Sequence, residues 1–206
     1  MEVAHDVIII GAGPAGSTLA ALLASRGASV ALVDRDEFPR DKLCGEFVSY
    51  DALPILEMLG VSDRLAPGAR IRRCRIVTSR SYEFELPSAA VGISRMRFDD
   101  LLLRTAIDRG ATAYTGWTAS RLEATVGARS SATAIQGGVV IERGGMTQHL
   151  RGAVIVGAWG RWGRFDTQLG RPFARVRSHR SFGFKRHYRG GSTLRDVIEL
   201  YSFRGG

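Results

Sequence analysis

Residues 7–16 read VIIIGAGPAG. Four apolar residues, all β-branched, run straight into three glycines, Gly11, Gly13 and Gly16, at the spacing G-x-G-x-x-G. No other stretch narrows the fold as far. An apolar β-branched run that meets glycine at once is a short buried strand. The next residues, PAGSTLAALLASRG, read as a helix with Leu19, Leu22 and Leu23 on one face and Gly27 as its stop. SVALVD is then a second strand ending at Asp34. Together they make one βαβ unit. Gly11 permits the tight turn, Gly13 leaves room for a pyrophosphate against the backbone, and Gly16 lets the helix pack on the strands. Ala12, Pro14 and Ala15 complete the turn. The helix N-terminus supplies N–H groups and a partial positive charge for the anion. Asp34, at the tip of the second strand, can accept hydrogen bonds from ribose hydroxyls and would repel a 2′-phosphate.

A wholly doubly wound enzyme would now enter another helix and another parallel strand. This chain enters a polar loop, RDEFPRDKLCGEF, and then a short helix near 50–59. RIRRCRIVTS and SYEFELP alternate like the arms of a hairpin. Helical period returns over 97–109, where Phe98, Leu101, Leu102, Thr105 and Ala106 share a face. ATAYTGW is a strand, 119–152 suit an antiparallel meander, and GAVIVGAWG is another buried strand running into glycine. From 171 onward the pattern suggests two strands around a Gly-Gly turn.

Composition removes several function classes. Two cysteines, Cys44 and Cys74, and four scattered histidines give no metal-ligand spacing. No apolar run approaches the roughly 20 residues of a membrane helix. The start, MEVAHD, does not read as a secretory signal, and a cytoplasmic location is expected. Charge is uneven: residues 1–103 carry 12 Lys and Arg against 14 Asp and Glu, whereas 104–206 carry 17 against 6. Nine of the basic residues lie in 161–189. That stretch could face nucleic acid, anionic lipid or a phosphorylated substrate. Arg outnumbers Lys 27 to 2 throughout, which favours a coding bias over a dedicated partner.

DVIIIGAGPAGSTLAALLASRGASVALVDRDEFPRDKLCGE resembles the start of FAD-dependent oxidoreductases of the p-hydroxybenzoate hydroxylase type, in particular the geranylgeranyl reductase-like branch. The Lys-x-Cys-Gly-Glu stretch of that branch stands here as Lys42, Cys44, Gly45 and Glu46. Arg95, Phe98 and Asp99 match its R-x-x-F-D segment, and AVIVGAWGRWGR sits where it has a second fingerprint. The resemblance implies that Gly11–Gly16 hold the FAD pyrophosphate and Asp34 the ribose. It places Arg35 and Arg95 near the adenosine diphosphate, Cys44 and Gly45 on the loop beside the flavin ring, and Gly160 among the cofactor-binding residues. NAD(P)H is the candidate electron donor. The second fingerprint departs from the family: Trp159 replaces Asp, and Gly163 stands where Ser is expected. An indole can pack or donate one hydrogen bond but cannot accept two, which sets direct NAD(P)H use in question. Trp159 and Trp162 either cover the cofactor or pack in the core; core packing is favoured.

The expected fold is α/β: a Rossmann-like FAD-binding domain of the glutathione reductase type (1–68 and 90–165) with part of a β-rich substrate domain (69–89 and 166–206). The expected function is that of a flavin-dependent monooxygenase or an isoprenoid or lipid double-bond reductase. It would act on a small molecule, with peripheral membrane contact but no specific nucleic acid. An NAD-linked dehydrogenase is the first alternative and a basic nucleic-acid-binding module the second. No residue is assigned a catalytic role, and the sequence does not fix the oligomeric state. The family is about twice this long, and its later half supplies a further Gly-Asp segment and most of the substrate pocket. The 206 residues are therefore expected to behave as an N-terminal fragment: poorly soluble, weak in FAD retention and without steady-state turnover. A soluble, monomeric, yellow protein with measurable turnover would contradict that expectation.

Overall fold

The computed structural model describes residues 2–66, 68–124, 135–160, 163, 165–171, 183–188 and 196–203. The chain divides into two compact units, 1–40 with 98–182 and 41–97 with 183–206.

The first unit is built on a six-stranded sheet in the order β6-β2-β1-β9-β8-β7. Its strands are β1 (Glu2–Ile10), β2 (Val30–Asp34), β6 (Thr112–Thr115), β7 (Thr118–Ala124), β8 (Ile135–Arg143) and β9 (Met146–Gly157). β1 lies parallel to both β2 and β9, and β2 parallel to β6. β9, β8 and β7 run as an antiparallel meander, as the alternation over 119–152 requires. The continuous apolar runs of β1 and β2 follow from burial on both faces: Ile8, Ile9, Leu32 and Val33 have no solvent exposure. One face packs into a cluster that includes Ile8, Val33, Trp117, Val139, Leu150 and Phe165.

Helix α1 (Pro14–Ala24) presents small residues to the sheet. Its buried positions are Gly16, Ser17, Ala20, Ala21 and Ala24, whereas Leu19, Leu22 and Leu23 are half-buried. The expected leucine face is thus not the deepest one. A helix that must start within a turn of its strand lies too close for long side chains between them. Helix α3 (Arg95–Asp108) buries Phe98, Leu101, Leu102, Thr105 and Ala106, the five residues its period selects. A short helix, α4 (Phe165–Gln168), follows β9.

The second unit carries the four-stranded sheet β10-β4-β5-β3, formed by β3 (Phe47–Val48), β4 (Ala69–Val77), β5 (Ser81–Gly92) and β10 (Val197–Tyr201). β4 and β5 make the expected hairpin. Helix α2 (Leu53–Met58) follows a single 3-10 turn at Tyr50–Ala52. One face of the sheet is an ion ladder. Glu83 accepts from Arg73 at 2.5 Å and from Arg75 at 2.8 Å, while Arg73 also bonds Asp196 at 2.7 Å and Arg75 pairs with Glu199. Cross-strand pairs of opposite charge fix such a register. The register puts Cys74, Phe84, Ile76, Tyr82, Ile198 and Leu200 on the other face, where Tyr82, Phe84 and Leu200 stand exposed.

The units are cut at 40/41, 97/98 and 182/183 rather than at 68/69, 89/90 and 165/166. β3 explains the early cut: it pairs with β5 and takes residues 47–48 into the second sheet. The strand pair expected after 171 is corrected in part. Residues 183–188 form no strand, and β10 runs parallel to β4 instead of folding back on a preceding strand. Gly190 and Gly191 lie outside the described residues, as does most of the basic 161–189 stretch, Trp162 included. No helix among the described residues is long and apolar enough to cross a membrane.

Candidate functional site

In the first unit the glycine turn is set by close approach. Gly11 has φ 111°, and its N–H donates to the Val33 carbonyl at 2.7 Å. A Cβ on Gly11 would lie 2.4 Å from the Ala158 carbonyl oxygen, and one on Gly16 would lie 1.8 Å from that of Gly11. Neither position can carry a side chain. Gly13 is the extended N-cap of α1, with Pro14 at the first helical position. No side chain caps the helix and its first turn holds no acid. The N–H groups of that turn have no intrahelical acceptor and keep their positive end for an anion. This fits a pyrophosphate.

Asp34 is tied into the same turn. Its Oδ2 accepts the Ala12 N–H at 2.7 Å, and its Oδ1 accepts the Asp36 N–H at 2.9 Å. The carboxylate has about four lone-pair sites, so these bonds leave room for a ribose hydroxyl. Arg40, which sequence reasoning did not single out, stands behind it. Its guanidinium donates to Asp99 at 2.8 Å, and it lies 3.2 Å from Asp36 and 3.6 Å from Asp34. The Arg40 side chain is 9% exposed and that of Asp99 0%, so the pair is largely buried, and Arg40 Cζ lies 4.5 Å over the Phe38 ring. Arg35, by contrast, is 71% exposed and pairs only loosely with Asp36, at 3.5 Å.

Trp159 takes the core-packing alternative. Its ring sits 5.4 Å from that of Phe165 against the main cluster, and its Nε1–H donates to Asp166 at 3.2 Å. Asp166 is buried and lies 3.7 Å from the Arg171 guanidinium. A Cβ on Gly163 would fall 1.7 Å from Trp159 Nε1, and one on Gly157 2.4 Å from the far edge of the indole. The glycine at 163 and the tryptophan at 159 are therefore sterically coupled. Gly160, at φ 79°, is exposed and has nothing within 4 Å of where a Cβ would be.

The second unit holds Cys44, Gly45 and Arg95 around Glu46. The Glu46 N–H donates to Cys44 Sγ at 3.4 Å, and its Oε1 accepts the Arg95 N–H at 3.0 Å at the start of α3. Lys185 and His187 reach the same carboxylate at 3.0 and 2.8 Å. Burial pushes the Glu46 carboxyl up, but the Arg95 N–H, His187 and Lys185 outweigh it and leave it below the ordinary glutamate value. The hydrogen bond to Asp41 holds the Lys185 ammonium above its ordinary value, and Lys185 in turn holds Asp41 down. The depressed carboxylates stabilise the fold above their unfolded values, and that contribution is lost as pH falls through the folded ones. The raised lysine stabilises it below its unfolded value and loses this as pH rises through the folded one. The contacts among Asp41, Glu46 and Lys185 thus contribute fully between the ordinary carboxylate range and the ordinary lysine range. Among the described residues, no group of three or more His, Cys, Asp or Glu is placed to hold a metal ion.

Comparison with known proteins extends this picture. Residues 4–186 match the family described as FAD binding domain. The chain is 36% identical over 118 residues to menaquinone reductase of Mycobacterium tuberculosis (strain CDC 1551 / Oshkosh), covering 54% of this chain and 29% of that protein. It is 30% identical over 184 residues to tryptophan 2-halogenase of Chondromyces crocatus, covering 76% of this chain and 35% of that one. Among solved structures, the myxobacterial chondrochloren halogenase CndH aligns with TM-score 0.66 at 28% identity over 79% of this chain and 38% of its own. A geranylgeranyl bacteriochlorophyll reductase-like protein of Thermoplasma acidophilum shares the fold, with TM-score 0.71 at 19% identity over 99% of this chain and 51% of its own. The chain thus spans about a third of the curated relatives it matches.

The Trp159–Gly163 fit yields a direct test. The Gly163 backbone is one that any residue can adopt, and the three atoms nearest to where a side chain would start all belong to the indole. Gly163→Ala is expected to cost about 1–3 kcal/mol of stability by overpacking, and close to nothing in a Trp159→Ala background. Urea unfolding of the four proteins measures both terms; equal costs in the two backgrounds would refute the coupling.

Proposed function

We propose, for a chain that belongs to the FAD binding domain family, that Gly11–Gly16 and Asp34 hold the adenosine-diphosphate half of FAD and that the protein is a flavin-dependent oxidoreductase. The observation that carries this reading is the Asp34–Ala12 bond at 2.7 Å beside an uncapped, acid-free helix start. It joins an anion site and a ribose acceptor in one rigid turn. An NAD-linked dehydrogenase finds no support in the meander that follows β9 in sheet order, nor in the family match.

FAD, when bound, supplies the electron-transfer chemistry; the chain supplies orientation, electrostatics and exclusion of water. The first-turn N–H groups of α1 would hold the pyrophosphate. Arg40 keeps the Asp34 tip in place through Asp36 and Asp99. Cys44, Gly45 and Arg95 lie in the second unit; the part of Cys44 and Gly45 in holding the cofactor rests on the resemblance of the 42–46 stretch, and that of Arg95 on the R-x-x-F-D segment. Gly160, two residues after Ala158, whose carbonyl abuts Gly11, is assigned to the cofactor on the resemblance of the second fingerprint. Arg35, exposed at the loop after β2, is the least supported of the proposed contacts. We assign the substrate to the small molecules of lipid or isoprenoid character, with double-bond reduction as the reaction. The similarity to menaquinone reductases and the geranylgeranyl reductase-like fold support it. Halogenation is the second reading, favoured by the halogenase relatives. NAD(P)H remains the proposed electron donor.

The test is titration of apoprotein with FAD, followed by the visible flavin spectrum. Asp34→Ala is expected to weaken binding by about 1.5–3 kcal/mol, the range for hydrogen bonds to a charged group. Equal affinity in variant and parent would sink the ribose assignment.

A further inference from the structure

The loop from Asp41 to Glu46 closes around a single ammonium group. Lys185 Nζ donates to Asp41 Oδ1 at 2.5 Å, to the Lys42 carbonyl at 2.8 Å and to Glu46 Oε1 at 3.0 Å. Three acceptors thus meet the three N–H donors of an ammonium. A guanidinium, planar and with its donors in a fixed fork, does not make that match. Composition sharpens the point. Of 29 basic residues 27 are Arg, and the two lysines are Lys42 and Lys185. Lys42 lends the cluster only its backbone carbonyl, and Lys185 alone brings its ammonium to it. The preference for arginine everywhere else gives way where three acceptors converge on one point.

Glu46 shows what the ammonium holds. Its φ is 58°, a left-handed backbone that a residue with a side chain keeps only where its surroundings over-determine it. Here they do. Its N–H goes to Cys44 Sγ, its carbonyl accepts the Ile93 N–H at 2.9 Å, and its carboxylate meets the Arg95 N–H, Lys185 and His187. Cys44 and Gly45 lie between the gripped ends of the loop. The space over Gly45 is open, with nothing within 4 Å of where a Cβ would be.

We propose that Lys185 is a positioning residue whose ammonium templates the 41–46 turn and so sets how Cys44 and Gly45 are presented to the flavin end of the cofactor. The template stands on the geometry alone; its effect on the cofactor rests on the FAD reading above. Two readouts separate them. In a Cys74→Ala background, the rate of Cys44 alkylation by iodoacetamide reports the turn with no cofactor present. Lys185→Ala is expected to raise that rate roughly tenfold as the turn opens. Methylammonium, which can refill the three acceptors, is expected to restore the parent rate, and tetramethylammonium, which has no N–H, is not. Lys185→Arg keeps the charge and is expected to behave like Lys185→Ala. The Kd for FAD is expected to rise roughly tenfold in both variants. Unchanged alkylation in Lys185→Ala, or full function in Lys185→Arg, overturns the template. An open turn with unchanged FAD affinity overturns the link to the cofactor. Should the parent itself bind no FAD, the FAD reading fails, and the alkylation result still decides the template.

Discussion

Asp34 joins three parts of the first unit that sequence places far apart. Its carboxylate accepts the Ala12 N–H, 22 positions back in the chain, at 2.7 Å. That bond fixes the tip of β2 against the glycine turn that leaves β1. A hydrogen bond to a charged group contributes about 1.5–3 kcal/mol, enough to hold the turn in one shape. The turn in turn fixes where α1 begins, because Gly16 sits against the Gly11 carbonyl with no space for a Cβ. Behind Asp34, Arg40 extends the constraint to α3 through the fully buried Asp99. A buried ion pair of this kind adds little net stability by itself, but removing one partner strands the other. Its value lies in fixing a geometry: the strand tip, the anion turn and the helix face move as one body.

A second constraint governs the far side of the turn. Ala158 follows β9, donates to the Ile10 carbonyl at 2.8 Å and abuts Gly11 through its own carbonyl. Trp159 then turns inward, and its N–H satisfies the buried Asp166. An unpaired buried carboxylate would be costly, so the indole both fills volume and answers a charge. Read one position at a time, Trp159 and Gly163 are two departures from the family fingerprint. The 1.7 Å approach couples them sterically.

Much of this was legible in the sequence because its physical causes are local. The β-branched run into Gly11, the five-residue face of α3 and the 4–5 hairpin alternation each express a period that neighbouring residues set. Leucine positions on α1 misled, since there the deciding factor was distance to the sheet and not hydrophobicity. Residues whose role depends on distant partners were not legible. Arg40 sits in an ordinary polar loop, and nothing nearby announces Asp99 at position 99 as its partner. Lys185 offered one signal, its rarity in an arginine-rich chain, but its three acceptors lie about 140 positions earlier. β10 pairs parallel with β4 across a similar span, which no turn signal could reveal.

The central claim is that the rigid turn built on Asp34 and Ala12 binds the adenosine-diphosphate half of FAD. Competition calorimetry tests it most directly, since FMN keeps only one phosphate of that half and none of its adenosine. ADP is expected to bind the parent chain and displace FAD, whereas FMN at the same concentration leaves the FAD isotherm unchanged. Displacement by FMN with no effect of ADP would place the binding energy at the flavin end and contradict the account.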